Sequence, residues 1–288
     1  MATEGSAAGP TARRMVLGGQ LRRLRERGNI SREQAGDAIR GSESKISRLE
    51  LGRVSLKERD VADLLALYGV TDEYEREAFL DLVRASNQPG WWHSYQDLLP
   101  RWFQDYVGLE ESASRIQTYE IAFVPGLVQT RNYAHAVVRR GLPDAPESEI
   151  ERRVGLRMGR QRTVTDPRGC RLWAVVDESV LHRAVGGTEV LREQLGYLLD
   201  VTTQPNVSLQ VVPFHSGGSA AEGSFTVLRF AEPELPDIVY LEHLCGALYL
   251  DKPDEVEAYA KVVQRLTVEA ETPDESRDRL AKIYDSLD

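Results

Sequence analysis

The sequence predicts a multi-domain chain: an all-α N-terminal domain of five short helices, followed by an α+β domain. Three observations predict it. A length of 288 residues is enough for two domains of roughly 100 to 200 residues each. Apolar residues recur at helical spacing as far as about residue 86, and beyond residue 115 alternating, strand-like runs appear between helical ones. Charge changes along the chain in the same way. Residues 11–59 hold thirteen Lys/Arg against six Asp/Glu, whereas the chain as a whole carries a net −9. A basic module therefore precedes an acidic body, which points to an anionic partner at the N-terminal end alone. The divisions expected are a disordered arm over 1–12, a helical domain over 13–86, a helical aromatic linker over 87–114 and the α+β domain over 115–288.

The arm is small and polar and closes at Arg13 and Arg14. Leu17, Leu21 and Leu24 then form one apolar stripe on a helix whose other faces carry Arg22, Arg23, Arg25 and Arg27, and Gly28-Asn29 stops it. Ser31-Arg-Glu-Gln34 has capping-box spacing and opens a short second helix with Ala35 and Ile39 on its inner edge. Ser42 caps a third, Glu43 to Leu51, with Ile46 and Leu49 inward and Ser44, Lys45, Ser47 and Arg48 outward. Ser55-Leu-Lys-Glu58 reads as a capping box for a fourth helix bearing Val61, Leu64, Leu65 and Tyr68, and Thr71 opens a fifth through Phe79, Leu82 and Val83.

Ser86-Asn-Gln-Pro-Gly90 punctuates the end of this domain. The stretch from Trp91 to Tyr106 is the most aromatic in the chain, and with Arg101 as its single base it reads as a packing clasp rather than a stacking surface for single strands. Strands are expected at 116–124, 171–176, 207–213, 225–230 and 238–241. Helices are expected at 133–140, 147–162, 178–184 and 189–201, with two more at the C-terminus, the last opened by Thr272-Pro-Asp-Glu275.

Several function classes are excluded or disfavoured. No apolar stretch approaches the ~18 to 20 residues of a membrane span, and the first residues lack a secretory pattern, so the sequence reads as cytoplasmic. Cys170 and Cys245 are 75 positions apart, with no metal-ligand spacing and no disulfide framework. His182, His215 and His243 are scattered, and no cofactor motif is present; the chain reads as a non-enzyme without cofactor or metal. Asp177-Glu178 and Glu242 would form a carboxylate pair only if their strands were neighbours. The loop 213–223, with Gly217-Gly218 and Gly223, reads as a flap over a pocket.

Two short helices joined by a tight turn, the second with polar and cationic residues outward, fit a ~12 Å major groove. The run Gly41-Ser-Glu-Ser-Lys-Ile-Ser-Arg-Leu-Glu-Leu-Gly52, after Leu21-Arg-Arg-Leu-Arg25-Glu and Ile30-Ser-Arg-Glu-Gln34, resembles the lambda-repressor/Cro-like helix-turn-helix family, also called the xenobiotic-response-element type. The resemblance implies an ion pair between Arg25 and Glu50 beneath the recognition helix. It also implies base contacts from Glu43, Ser44, Arg48 and, more weakly, Lys45, and phosphate contacts from Arg32, Ser42, Ser47 and Arg53. Arg48 is the strongest, because its guanidinium can bond O6 and N7 of one guanine together. Gly36 departs from the Ala usual in that family, at an expected cost to helix stability.

A second resemblance lies in Val124-Pro-Gly-Leu-Val-Gln-Thr130, Tyr133-Ala134, Asp177-Glu-Ser-Val-Leu181, Gln194-Leu195, Val211-Val-Pro-Phe214, Phe225 and Tyr240-Leu-Glu242. These are similar to an antitoxin-like C-terminal domain of unassigned function that follows such a helix-turn-helix in actinobacteria. The resemblance implies a transcriptional regulator whose second domain binds a small partner protein encoded nearby, or an effector. Because a single module neutralises few phosphates, a homodimer on an inverted-repeat operator in double-stranded DNA is expected. The alternatives are an antitoxin that regulates its own synthesis, and a second domain that is a small-molecule sensor or cryptic enzyme.

Overall fold

The computed structural model describes residues 9–166, 169–216, 223–233 and 235–287. The chain divides into two compact units, one of residues up to 93 with 107–112 and 230–235, the other of 94–106, 113–229 and the remainder from 236. The sequence-based expectation of a helical domain followed by an α+β domain holds.

The first unit contains five helices among its described residues up to 93: α1 (Pro10–Arg27), α2 (Arg32–Ala38), α3 (Glu43–Glu50), α4 (Glu58–Leu67) and α5 (Glu73–Ser86). Leu17 and Leu21 of α1, Ala35 of α2, Ile46 and Leu49 of α3, Val61, Leu64 and Leu65 of α4, and Phe79 and Val83 of α5 form one buried core. Three helix starts differ from expectation. α1 begins at Pro10, so residues 10–12 are helical rather than an arm. Proline is pre-organised for the first turn, Thr11 and Ala12 are buried, and the Gly9 amide donates to Ser112 Oγ at 3.0 Å. Residues 1–8 of the expected arm lie outside the described residues. α4 has no capping box: Leu56 is drawn into the core, its carbonyl accepts from Asn87 Nδ2 at 2.7 Å, and the helix starts after Lys57 without a side-chain cap. α5 is capped by Asp72, not Thr71; the carboxylate accepts from the Glu75 amide and also favours the positive end of the helix.

In the second unit, six strands among the described residues form one sheet: β1 (Arg115–Glu120), β2 (Arg171–Asp177), β3 (Val207–Val212), β4 (Phe225–Arg229), β5 (Ile238–His243) and β6 (Gly246–Leu250). The order is β3-β2-β1-β4-β5-β6; β1, β2 and β3 are parallel, and β4, β5 and β6 join antiparallel. β1 is shorter than expected: it ends at Glu120, and a 3₁₀ turn, Gly126–Val128, follows a few residues later. β6 was not expected: its two-residue connection, Leu244-Cys245, lacks the Asn-Gly type of hairpin signal.

The helices of this unit are the first half of α6 (Arg101–Ser112), then α7 (Arg131–Gly141), α8 (Glu147–Arg160), α9 (Arg162–Thr165), α10 (Ser179–His182), α11 (Thr188–Val201), α12 (Pro253–Glu269) and α13 (Pro273–Asp285). Thr272 and Glu275 form the expected capping box of α13. Val263 and Leu266 of α12 cover one face of the sheet against Tyr119, Val175, Val212, Phe225, Val227 and Val239. The β3 edge is closed by the chain itself. Val211 donates its amide to Ser276 Oγ and accepts from the Glu271 amide, both at 2.9 Å.

Candidate nucleic-acid interface

The turn between α2 and α3 is set by backbone geometry. Gly36 accepts from the amides of Ile39 and Gly41 at 3.2 and 2.8 Å, and Arg40 takes φ +51° to reverse the chain. A Cβ on Gly36 would lie 3.0 Å from the Gly41 carbonyl and 3.1 Å from Ser42 C, so the missing side chain lets α2 approach the turn. Both helices start on serine caps: Ser31 with a complete Gln34 capping box, and Ser42, whose Oγ accepts from the Lys45 amide at 3.2 Å. α1 supports the far end of α3, where a Cβ on Gly18 would meet the Leu49 carbonyl at 2.5 Å.

Beneath α3 the Glu50 side chain is 2% exposed. Arg25 donates Nε to Glu50 Oε1 at 2.5 Å, Nη2 to Oε2 at 3.1 Å and Nη1 to the Ile30 carbonyl at 2.9 Å. The bond to Glu50 raises the Arg25 guanidinium above its ordinary value despite burial. Burial, with Glu50 nearby, pushes the Tyr68 phenol up to about 12. Arg25 and Glu50 thus form a bidentate, desolvated pair that fixes α3 on α1.

The outward face of α3 carries Glu43, Ser44 and Arg48, all exposed, with Ser47 half-buried beside them and exposed Ser42 at the helix start. Arg48 Nε bonds the Ser44 carbonyl at 3.3 Å, which lays the guanidinium along the helix surface. Arg53 is exposed just past Gly52. Two of the candidates also have partners within the domain. Arg32, expected on a phosphate, donates Nε to Glu50 Oε2 at 3.2 Å, because the buried carboxylate still has acceptor capacity after Arg25 is bound. Lys45, expected on a base edge, is held by Asp60 of α4 at 2.6 Å. Neither acceptor is identifiable from local spacing, since each lies at least fifteen residues away in sequence. Sequence reasoning also left Arg40, Lys57 and Arg59 unplaced. They line an open groove of about 600 Å³ beside Lys45, with Asp60 and Asp63.

The carboxylates of the second unit do not pair as considered. β1 and β4 lie between β2 and β5, so Asp177-Glu178 and Glu242 stand at separate places on the sheet. Asp177 accepts from the Ser179 amide at 2.9 Å. Glu178 accepts from Arg279 at 2.7 Å and from the Phe214 amide at 2.8 Å; burial pushes its carboxyl up, but these bonds prevail and hold it below its ordinary value. Glu242 accepts from the Tyr240 hydroxyl at 2.9 Å. Gly217 and Gly218 of the expected flap lie outside the described residues.

Sequence reasoning missed Glu120, at the C-terminal end of β1. It keeps a part of its surface open to solvent but has protein on nearly every side. Burial pushes its carboxyl up to about 7; a hydrogen bond from Ser224 opposes the shift, Glu242 adds to it, and Arg157 and Arg160 oppose it. The Arg160 guanidinium stands 5.2 and 5.4 Å from the ring centres of Phe103 and Tyr106. His135, Glu147 and Glu151 place three potential ligand atoms within 4.8 Å. Arg139 pairs with Glu147 and Arg131 with Glu151, so this cluster is a charge-balanced brace between α7 and α8.

The model of a family described as a helix-turn-helix domain matches residues 16–79, and that of a domain of unknown function (DUF5753) matches residues 103–282. No curated protein matches the chain, and no solved structure does. Among the described residues no helix is long and apolar enough to cross a membrane.

Proposed function

The chain belongs to the family of the domain of unknown function DUF5753, here preceded by a helix-turn-helix domain, and from that premise we propose that it is a sequence-specific transcriptional regulator. It binds an inverted repeat in double-stranded DNA as a homodimer and acts in the cytoplasm on the nucleoid. The reading head is of the lambda-repressor/Cro-like type, and the second domain receives a signal by binding a small partner protein or an effector.

The observation that carries this reading is the face of α3. Ser44, Ser47 and Arg48 are spaced i, i+3, i+4 on one outward surface, and the opposite surface is fixed by the Arg25–Glu50 pair. A rigid helix with short polar residues and one guanidinium outward suits direct readout in the major groove. Ser42 at the helix start and Arg53 beyond its end are both exposed, and in this reading they contact the flanking phosphates, with Arg40, Lys57 and Arg59 as further cations at the rim. A single module neutralises few phosphates, so tight binding at physiological salt calls for two half-sites about 34 to 36 Å apart.

A regulatory rather than catalytic second domain is supported by the separation of Asp177-Glu178 from Glu242 and by the commitment of Glu178 to Arg279. The test is genome-wide immunoprecipitation of the tagged protein in its own host, with co-purifying proteins identified. Sharp peaks over one inverted repeat are expected. Uniform recovery of DNA without such a repeat would overturn the reading.

A further inference from the structure

The two edges of the sheet in the second unit are treated in opposite ways. The β3 edge is closed by Ser276 and Glu271, as described above. At the other edge, among the described residues, the backbone of Gly246–Leu250 makes hydrogen bonds to β5 alone. Exposed edges are normally blunted by lysine, proline or a bulge. This strand, Gly-Ala-Leu-Tyr-Leu, contains no charge and no proline, and its register against β5 runs from Val239↔Leu250 to His243↔Gly246 without a bulge. Leu248 is 51% exposed and Leu244, at the hairpin tip, is fully exposed.

We propose that β6 pairs antiparallel with β6 of a second copy of this chain, joining the two sheets about a two-fold axis at Leu248. This rests on the reading of the protein as a dimeric regulator and names the surface that makes the dimer.

Three arguments select a second copy as the occupant. An antiparallel edge pair is self-complementary, so one strand satisfies its own copy and the contact closes at two chains. In the register centred on Leu248, Ala247 faces Tyr249 of the other copy and Gly246 faces Leu250, so no charges are opposed within the paired strands. The proposed function itself demands two reading heads in one assembly. Main-chain hydrogen bonds supply the attraction, and the exposed leucines the apolar burial. Two five-residue strands bury less than the ~1,200 Å² of a standard interface, so the dimer is of modest affinity in solution and is reinforced when both heads engage one operator.

The test is sedimentation equilibrium of the full chain between about 1 and 100 μM, a range that brackets a micromolar association. The wild-type chain is expected to dimerise. Leu248→Lys places a charge at the axis and is expected to weaken self-association at least tenfold with an unchanged circular dichroism spectrum. A second variant guards against misfolding: Leu248→Cys in a Cys245→Ser background should form an intermolecular disulfide under mild oxidation, because directly opposed residues of a non-hydrogen-bonded pair stand about 4.5 Å apart at Cα. A wild-type chain that stays monomeric throughout, or a dimer untouched by Leu248→Lys and unable to cross-link at 248, would overturn the assignment. DNA binding is read separately. Leu248→Lys should retain affinity for a single half-site and lose the gain from an inverted repeat, whereas a wild-type chain that prefers no sequence defeats the proposed function while sedimentation still decides the edge.

Discussion

Glu50 and Glu120 are both enclosed carboxyls, and they are enclosed to opposite effect. Glu50 receives two bonds from Arg25 and one from Arg32, so its charge is compensated where it stands and serves as a fixed part of the helix-turn-helix domain. Glu120 has one hydrogen bond from Ser224, with Arg157 and Arg160 near and Glu242 against it, and its carboxyl is pushed up to about 7. Burial alone therefore does not determine what a carboxyl does; the number and geometry of its donors do. One region of the molecule uses a buried charge as scaffold, and the other holds a group that changes charge near neutrality.

The largest expected effect comes from breaking the scaffold. Arg25→Ala leaves Glu50 desolvated with Arg32 as its remaining partner, and should destabilise the helical domain by ~3 to 5 kcal/mol. Urea denaturation followed by circular dichroism measures this. A loss below about 1 kcal/mol, the range of an exposed pair, would mean that the pair is not a desolvated one.

The second test acts on Glu120. Its folded pKa lies above the ordinary carboxylate value, so between about 4.5 and 7 the native state holds a proton that the unfolded state has released. Stability from this group is accordingly complete at acid pH, falls as pH rises through that window and is lowest above 7. Glu120→Gln removes the ionisation and should stabilise the chain by ~1 to 3 kcal/mol at pH 8, with the gain vanishing near pH 4.5; the range allows for the part of Glu120 still in contact with water. Denaturation at the two pH values checks the sign, and an equal effect at both would contradict it. The smallest expected effect is at the helix starts. Ser31→Ala removes the cap of α2 and should cost ~1 kcal/mol, whereas Ser55→Ala, at the position where α4 has no side-chain cap, should leave the thermal midpoint unchanged.

The same contrast separates what was legible in the sequence from what was not. The five helices were legible because stripes such as Leu17-Leu21 and caps such as Ser31 and Ser42 are local signals. Local signals also misled where tertiary burial competed: Leu56 enters the core and cancels the capping box that Ser55 and Glu58 spell out. The placement of Arg32 and Lys45 depended on Glu50 and Asp60, which only the packed helices bring into reach. In the second unit most strands could be read from alternation, but strand order could not. Strand order separates Glu178 from Glu242, and the packed fold around the end of β1 encloses Glu120. β6 escaped notice because Leu244-Cys245 carries no turn chemistry.

The central claim is that the outward face of α3 reads sequence, with Arg48 as its main discriminating group. The most direct measurement is selection of binding sites from a randomised duplex library by the purified full chain, wild type and Arg48→Ala in parallel. The wild type should enrich one inverted repeat. The variant should lose preference at one base pair of each half-site, by about 10- to 100-fold as expected for a bidentate guanidinium contact worth ~1 to 3 kcal/mol, while keeping affinity for random DNA. Enrichment of the same repeat by both proteins, or loss of specific and random binding by the same factor, would contradict the claim.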